Sequence, residues 1–217
     1  MEKNMNEHNG QGLVTAKERA GIALRAYETK CIEIINSTRS VILQQSGAFN
    51  QYHILFDAVD FCVVYDLDIA LLRFQVQCAE TKWRKNLNAR LLAMTIWECV
   101  DDLTRILGRE FRDAITGLTF SHDLRTKLDK TLKEINGFRG RHESLLKDIR
   151  NLTAAHREVV LDKLLAALEK VQPDSLIDLA QSLRRLLSAF YKTMTEILRE
   201  AKQLIKLTHA MTTLKPS

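Results

Sequence analysis

Val59-Asp60-Phe61-Cys62-Val63-Val64-Tyr65-Asp66 is the one stretch of this chain whose residue types suit a β-strand, and whether it is strand or helix decides the fold class. β-branched and aromatic side chains favour a pleated surface. A strand needs a partner, however, and no second segment of this kind occurs, so the stretch is expected to be helical within a longer helical segment over about residues 49–81.

Working outward, Tyr27, Cys31, Ile34, Ile35, Val41 and Ile42 recur at helical spacing and predict a first long helix over 15–47, with Thr15 as its cap and Gly47 as its stop. Residues 1–12 are polar and are expected to form a disordered leader. Downstream, Leu91, Leu92, Val100, Leu103 and Leu107 predict one side of a helix over 88–107, ended by Gly108. A short helix over 110–118 follows. Ser121 then caps a long pattern through Leu124, Leu128, Leu132 and Ile135, in which Gly137 and Gly140 are expected to kink or break the helix. A further helix covers 159–171, and Pro173 opens the last one, which runs to about 211. Long helices joined by short turns imply an all-α, up-and-down bundle.

The chain has 217 residues with 46% hydrophobic content and two prolines, so it can bury a substantial core and lacks a Pro-rich linker; one domain over 13–217 is expected. A net charge of +5 is a mild basic excess, compatible with an anionic partner. Cys31, Cys62, Cys78 and Cys99 show no CxxC pairing and suit buried free thiols of a reducing compartment. No basic, apolar secretion signal opens the sequence, and no uncharged run is apolar enough to cross a bilayer. A cytoplasmic protein without a membrane partner is expected.

Within this helical pattern, Ile149-Arg150-Asn151-Leu152-Thr153-Ala154-Ala155-His156-Arg157 groups a guanidinium, an amide and an imidazole with small alanines. A guanidinium holds a phosphate through paired hydrogen bonds. An imidazole titrating near neutrality moves protons to or from oxygen. Cleavage of an RNA phosphodiester without metal requires that combination. On an ideal helix Arg150 and His156 stand roughly 240° apart and about 9 Å along the axis, so one straight helix cannot bring both to one phosphate. Either the helix distorts or a second copy completes the site across a two-fold axis.

The run resembles the signature of the HEPN superfamily (higher eukaryotes and prokaryotes nucleotide-binding): an Arg, a polar residue, and a His after five intervening residues. The likeness covers about residues 86–171, including Leu145-Leu146-Lys147-Asp148-Ile149 ahead of the motif. It implies a HEPN-like bundle and a metal-independent endoribonuclease of toxin, phage-defence or RNA-processing type, giving 2′,3′-cyclic phosphate ends and needing no cofactor. It further implies a homodimer with a composite site, RNA as substrate, and restraint by an antitoxin or regulatory protein. Arg150, Asn151 and His156 match the catalytic positions. The acidic residues often found after the His are reduced here to Glu158. Arg157, Lys147 and Arg141 are candidate substrate-binding residues; Arg139 and His142 could extend that surface, but interleaving with Glu143 and Asp148 makes an ordinary solvated helix face the plainer reading of the upstream cations.

Blander readings accompany each feature. Arg150, Asn151 and His156 also suit a helix end paired to Asp148 and Glu158, in a noncatalytic helical dimerisation module that keeps the fold. The cations of the last helix, Arg184, Arg185, Lys192, Arg199, Lys202 and Lys206, suit either a solvated face or an RNA backbone. His53, Asp57 and Asp60 share a helical face, and Asp66, Asp68, Asp101 and Asp102 could join them in a metal site, although a polar stripe is the plainer reading.

Overall fold

The structure, a computed structural model, describes residues 5–44, 52–154 and 172–213, with side chains over 16–40, 52–151 and 172–204. Among the described residues there are six helices: α1 (Met5–Gln44), α2 (His53–Gln77), α3 (Lys82–Ile106), α4 (Arg109–Thr116), α5 (His122–Ala154) and α6 (Pro173–Thr213). The 59–66 stretch is helical and lies within α2, with Val59, Cys62, Val63 and Asp66 buried, so the chain is an all-α bundle. The expected helix over 159–171 lies outside the described residues.

Helix α2 packs on α1, α3, α4 and α6, while α3 and α5 pack on each other and on α6. Helices α2, α3, α5 and α6 thus enclose the core, with α1 laid against α2. On α6 the buried positions Leu176, Ala180, Leu183, Leu187, Phe190, Met194, Ile197 and Ala201 alternate in steps of four and three, which keeps one seam inward over the helix. On α5, Leu124, Leu128, Thr131, Ile135 and Phe138 do the same, and Leu146 and Ile149 resume the seam eight residues further on.

Several boundaries differ from the sequence reading. Helix α1 begins at Met5, within the stretch expected as a leader, rather than at Thr15. Helix α3 starts at Lys82 because the Thr81 hydroxyl accepts the Arg84 amide at 3.2 Å and caps it. Leu91 is 41% exposed: of the adjacent leucines only Leu92 faces the core, and Leu91 joins Trp83 and Leu87 on an outward row. Gly137 and Gly140 do not break α5, since the buried positions before and after them stay in phase. Gly108 does end α3; a Cβ there would stand 2.9 Å from the Arg105 carbonyl oxygen.

A deeply buried ion pair joins α2 to α6. Asp66 of α2 is 2% exposed; its Oδ1 accepts Arg184 Nε of α6 at 2.6 Å, and its Oδ2 accepts the Tyr27 hydroxyl of α1. The Arg184 guanidinium also lies 5.1 Å from the Tyr27 ring centroid. Burial, then the bond to Asp66, pushes the Tyr27 phenol up. Burial alone would lower Arg184, but the neighbouring carboxylate outweighs it and raises it. Cys31, Cys62 and Cys99 are buried free thiols, and Cys78 is half-buried.

Two stability measurements follow. Arg184→Met leaves the Asp66 carboxylate buried without its cation and is expected to cost about 3–5 kcal/mol in urea unfolding, most of it recovered in Asp66→Asn/Arg184→Met. A Cβ on Gly140 meets nothing within 4 Å. Gly140→Ala is therefore expected to add about 0.5–1 kcal/mol by favouring the helix, raising the melting temperature by roughly 2–4 °C.

Candidate functional site

Helices α3 and α5 run antiparallel, and their contacts position the outer face of α5. Arg139 donates to Thr104 Oγ1 at 2.7 Å and lies 3.7 Å from Asp101, whereas Arg150, further along α5, reaches back to Trp97. Leu146 and Ile149 are buried and anchor this end of α5, which turns the next residues, Arg150 and Asn151, outward into solvent. The Arg150 guanidinium lies 5.8 Å from the Trp97 ring centroid. An aromatic face holds a guanidinium by about 0.5–1 kcal/mol at an exposed site without using up its N–H donors. Among the described residues no ion pair engages Arg150, including the expected one with Asp148.

The other sequence-derived site residues divide. His156 and Arg157 lie outside the described residues. Lys147 and Arg141 are both exposed. On an unbroken helix Lys147 stands about 60° and ~5 Å from Arg150, so the two share a side. Arg141 stands about 180° round and ~14 Å away, so the continuity of α5 removes it from that side. Its guanidinium folds toward Gly137. His142 packs on Phe138 with ring centroids 4.7 Å apart, and burial, then the Arg141 charge, lowers its pKa. Arg139 and His142 thus serve the packing of α5 on its neighbours.

Trp97 was absent from the sequence reading. Nothing in the linear pattern links it to Arg150; only the antiparallel register of α3 and α5 does. Its one sequence-level signal is its type, as one of two tryptophans in the chain.

The acidic residues weighed for metal binding are dispersed. His53 faces a groove beside α4 with Glu110 and Asp113, whereas Asp60 meets Thr38 and Arg39 of α1. Asp66 is engaged by Arg184 and Tyr27, Asp102 by Arg105 and the Tyr65 hydroxyl at 3.1 Å, and Asp101 by Arg139. Among the described residues no group of three His, Cys, Asp or Glu gathers where it would hold a metal ion. Among them too, no helix is long and apolar enough to cross a membrane.

Comparison with known proteins yields no matching family model, no matching curated protein and no matching solved structure. The geometry of the chain itself therefore carries the functional reading.

Asp60 gives a pH-dependent expectation. Burial pushes its carboxyl up to about 6, against weaker lowering by the Thr38 hydroxyl and the Arg39 charge, with Asp57 adding repulsion. A carboxyl raised in the folded state favours folding while protonated; that contribution is complete below pH ~4 and is lost as pH rises through about 6. Asp60→Asn removes the buried charge and is expected to exceed the parent in stability by about 1–2 kcal/mol at pH 7.5, with no gain at pH 4. Urea unfolding at both pH values checks this; a pH-independent difference would assign the effect to packing.

Proposed function

We propose that this protein is a metal-independent endoribonuclease of toxin, defence or RNA-processing type, acting through Arg150, Asn151 and His156 at a site completed by a second copy of the chain. The observation that carries the reading is Arg150: an exposed guanidinium, held over Trp97 and engaged by no described carboxylate, with Asn151 beside it. In this reading the 2′-hydroxyl attacks phosphorus, the 5′-oxygen leaves, and His156 takes or returns the proton. Arg150 stabilises the charge that builds on the phosphorane oxygens. Asn151 donates to the same phosphate, and Lys147 adds positive potential from the same side.

Residues six apart cannot face one phosphate from a straight helix, so either the helix distorts at the motif or, in the reading adopted here, a second copy completes the site. Support for a contact surface comes from α3, where Trp83, Leu87 and Leu91 form an exposed apolar row on the helix that also carries Trp97. That row equally favours a second reading, a noncatalytic helical dimerisation module, because an apolar contact needs no chemistry.

Labelled RNA incubated with purified protein in excess EDTA separates the two. Cleavage to cyclic-phosphate ends is expected, lowered at least ~100-fold by Arg150→Ala and by His156→Ala with the dimer retained in light scattering. Intact RNA alongside a persisting dimer would assign the protein to the interaction class.

A further inference from the structure

Helix α1 rests on α2 and is tied to α6 by the Tyr27–Asp66–Arg184 cluster, which leaves a groove between α1 and α6. Three cavities follow one another here, the first between α1 and α2 beside Arg184 and the other two along the α1–α6 groove. The first, about 260 Å³, includes Tyr27, Arg73 and Arg184; the second, about 470 Å³, includes Tyr27, Arg184, Arg185, Tyr191 and Lys192; the third, about 470 Å³, includes Lys30, Tyr191, Lys192 and Arg199. Shared walls at Tyr27 and Arg184, then at Tyr191 and Lys192, make them one continuous channel.

The cations on its α6 wall are regularly placed. Arg185, Lys192 and Arg199 recur every seven residues, so they form one row with a spacing of about 10.5 Å over ~21 Å of helix. All three are exposed, and among the described residues none is in an ion pair. Of the acids on α6, Glu196 lines the third cavity beside Lys192 and Arg199 but pairs across to α5, and Glu200 is held at the start of α5. Glu196 lies 3.6 Å from Lys127, and Glu200 accepts the Ser121 amide at 2.9 Å and its hydroxyl at 3.1 Å. Glu33 of α1 also lines the channel, opposed there by Lys30.

We infer that the α1–α6 groove binds a single-stranded nucleic acid, with Arg185, Lys192 and Arg199 taking successive parts of its phosphate backbone. The Ser188 hydroxyl lines the same channel and suits a phosphate or sugar oxygen, and the half-buried ring of Tyr191 offers a face to a base. A cleft between two helices laid on a third admits one strand and not a duplex. This site lies on the α1–α6 side of the bundle, apart from Arg150 on the α3–α5 side, and it stands whether or not the protein cleaves RNA.

Binding of fluorescein-labelled oligothymidylate, which lacks the 2′-hydroxyl and so cannot be cut by the proposed chemistry, tests the site by anisotropy. The triple variant Arg185→Gln/Lys192→Gln/Arg199→Gln is compared with Arg109→Gln/Lys130→Gln/Lys133→Gln, which removes equal charge from exposed positions on α4 and α5. The groove variant is expected to bind at least ~10-fold more weakly and to lower the slope of log K against log salt by about 2, at ~0.7 per lost phosphate contact; the control should change affinity less than ~3-fold. Circular dichroism confirms that each variant is folded. Absence of binding by the parent, equal losses in the two triple variants, or displacement by polyglutamate as effective as by unlabelled oligothymidylate would each overturn the assignment.

Discussion

Asp66 sits inside the bundle at 2% exposure, where an unpaired carboxylate would cost several kcal/mol, so the chain must bring a cation and a donor to it. Arg184 and Tyr27 meet that requirement from α6 and α1. Apolar packing alone tolerates sliding of one helix along another, because neighbouring turns present similar side chains. A charge with two directed partners tolerates far less, and it therefore sets the axial register of three helices at one level of the bundle. The cluster also holds α1 beside α6 without close packing between them, and the basic channel on either side of Tyr27 is the space that remains.

Helix α6 shows how one amphipathic sequence serves several neighbours. Its inner seam alternates in steps of four and three against α2, α3 and α5. Around the outside, positions one turn apart diverge in their partners: Glu196 and Glu200 pair with groups at the start of α5, while Lys192 and Arg199 line the groove beside α1, which Glu196 also borders. Each residue advances about 100°, so a shift of four residues moves the side chain by only ~40°, enough here to change the partner while both residues still border the groove. Net charge, a modest +5, conceals this divergence completely.

Helix content and most boundaries were legible from periodicity, because burial of one stripe is a local property of sequence. The 59–66 stretch was legible only by elimination: its residues favour strand, and the absence of a partner strand overrode them. Leu91 was misplaced because two adjacent leucines at 91 and 92 cannot be ranked by pattern when their neighbours are not known. Gly137 and Gly140 were read as a break on propensity, whereas Ile135, Phe138 and Leu146, buried on the same seam, outweigh a cost of about 1 kcal/mol per glycine. The Asp66–Arg184 pair and the Trp97–Arg150 contact were not legible at all. Both join residues far apart in the chain, and helical spacing carries no information about which helix faces which.

The two polar systems on this bundle lie on different faces, and that separation has a consequence for the proposed chemistry. Arg150 stands over Trp97 at the α3–α5 contact, while the channel is bounded by α1 and α6. A dimer formed through the apolar row of α3 would cover the Arg150 side and leave the α1–α6 channel open in each copy. Substrate held in the channel of one copy could not reach the Arg150 of that same copy without wrapping around the bundle. Loss of the channel cations should then weaken capture of a strand while sparing the turnover of a short substrate that binds only at the composite site, because affinity gained far from the reacting bond does not by itself lower its barrier.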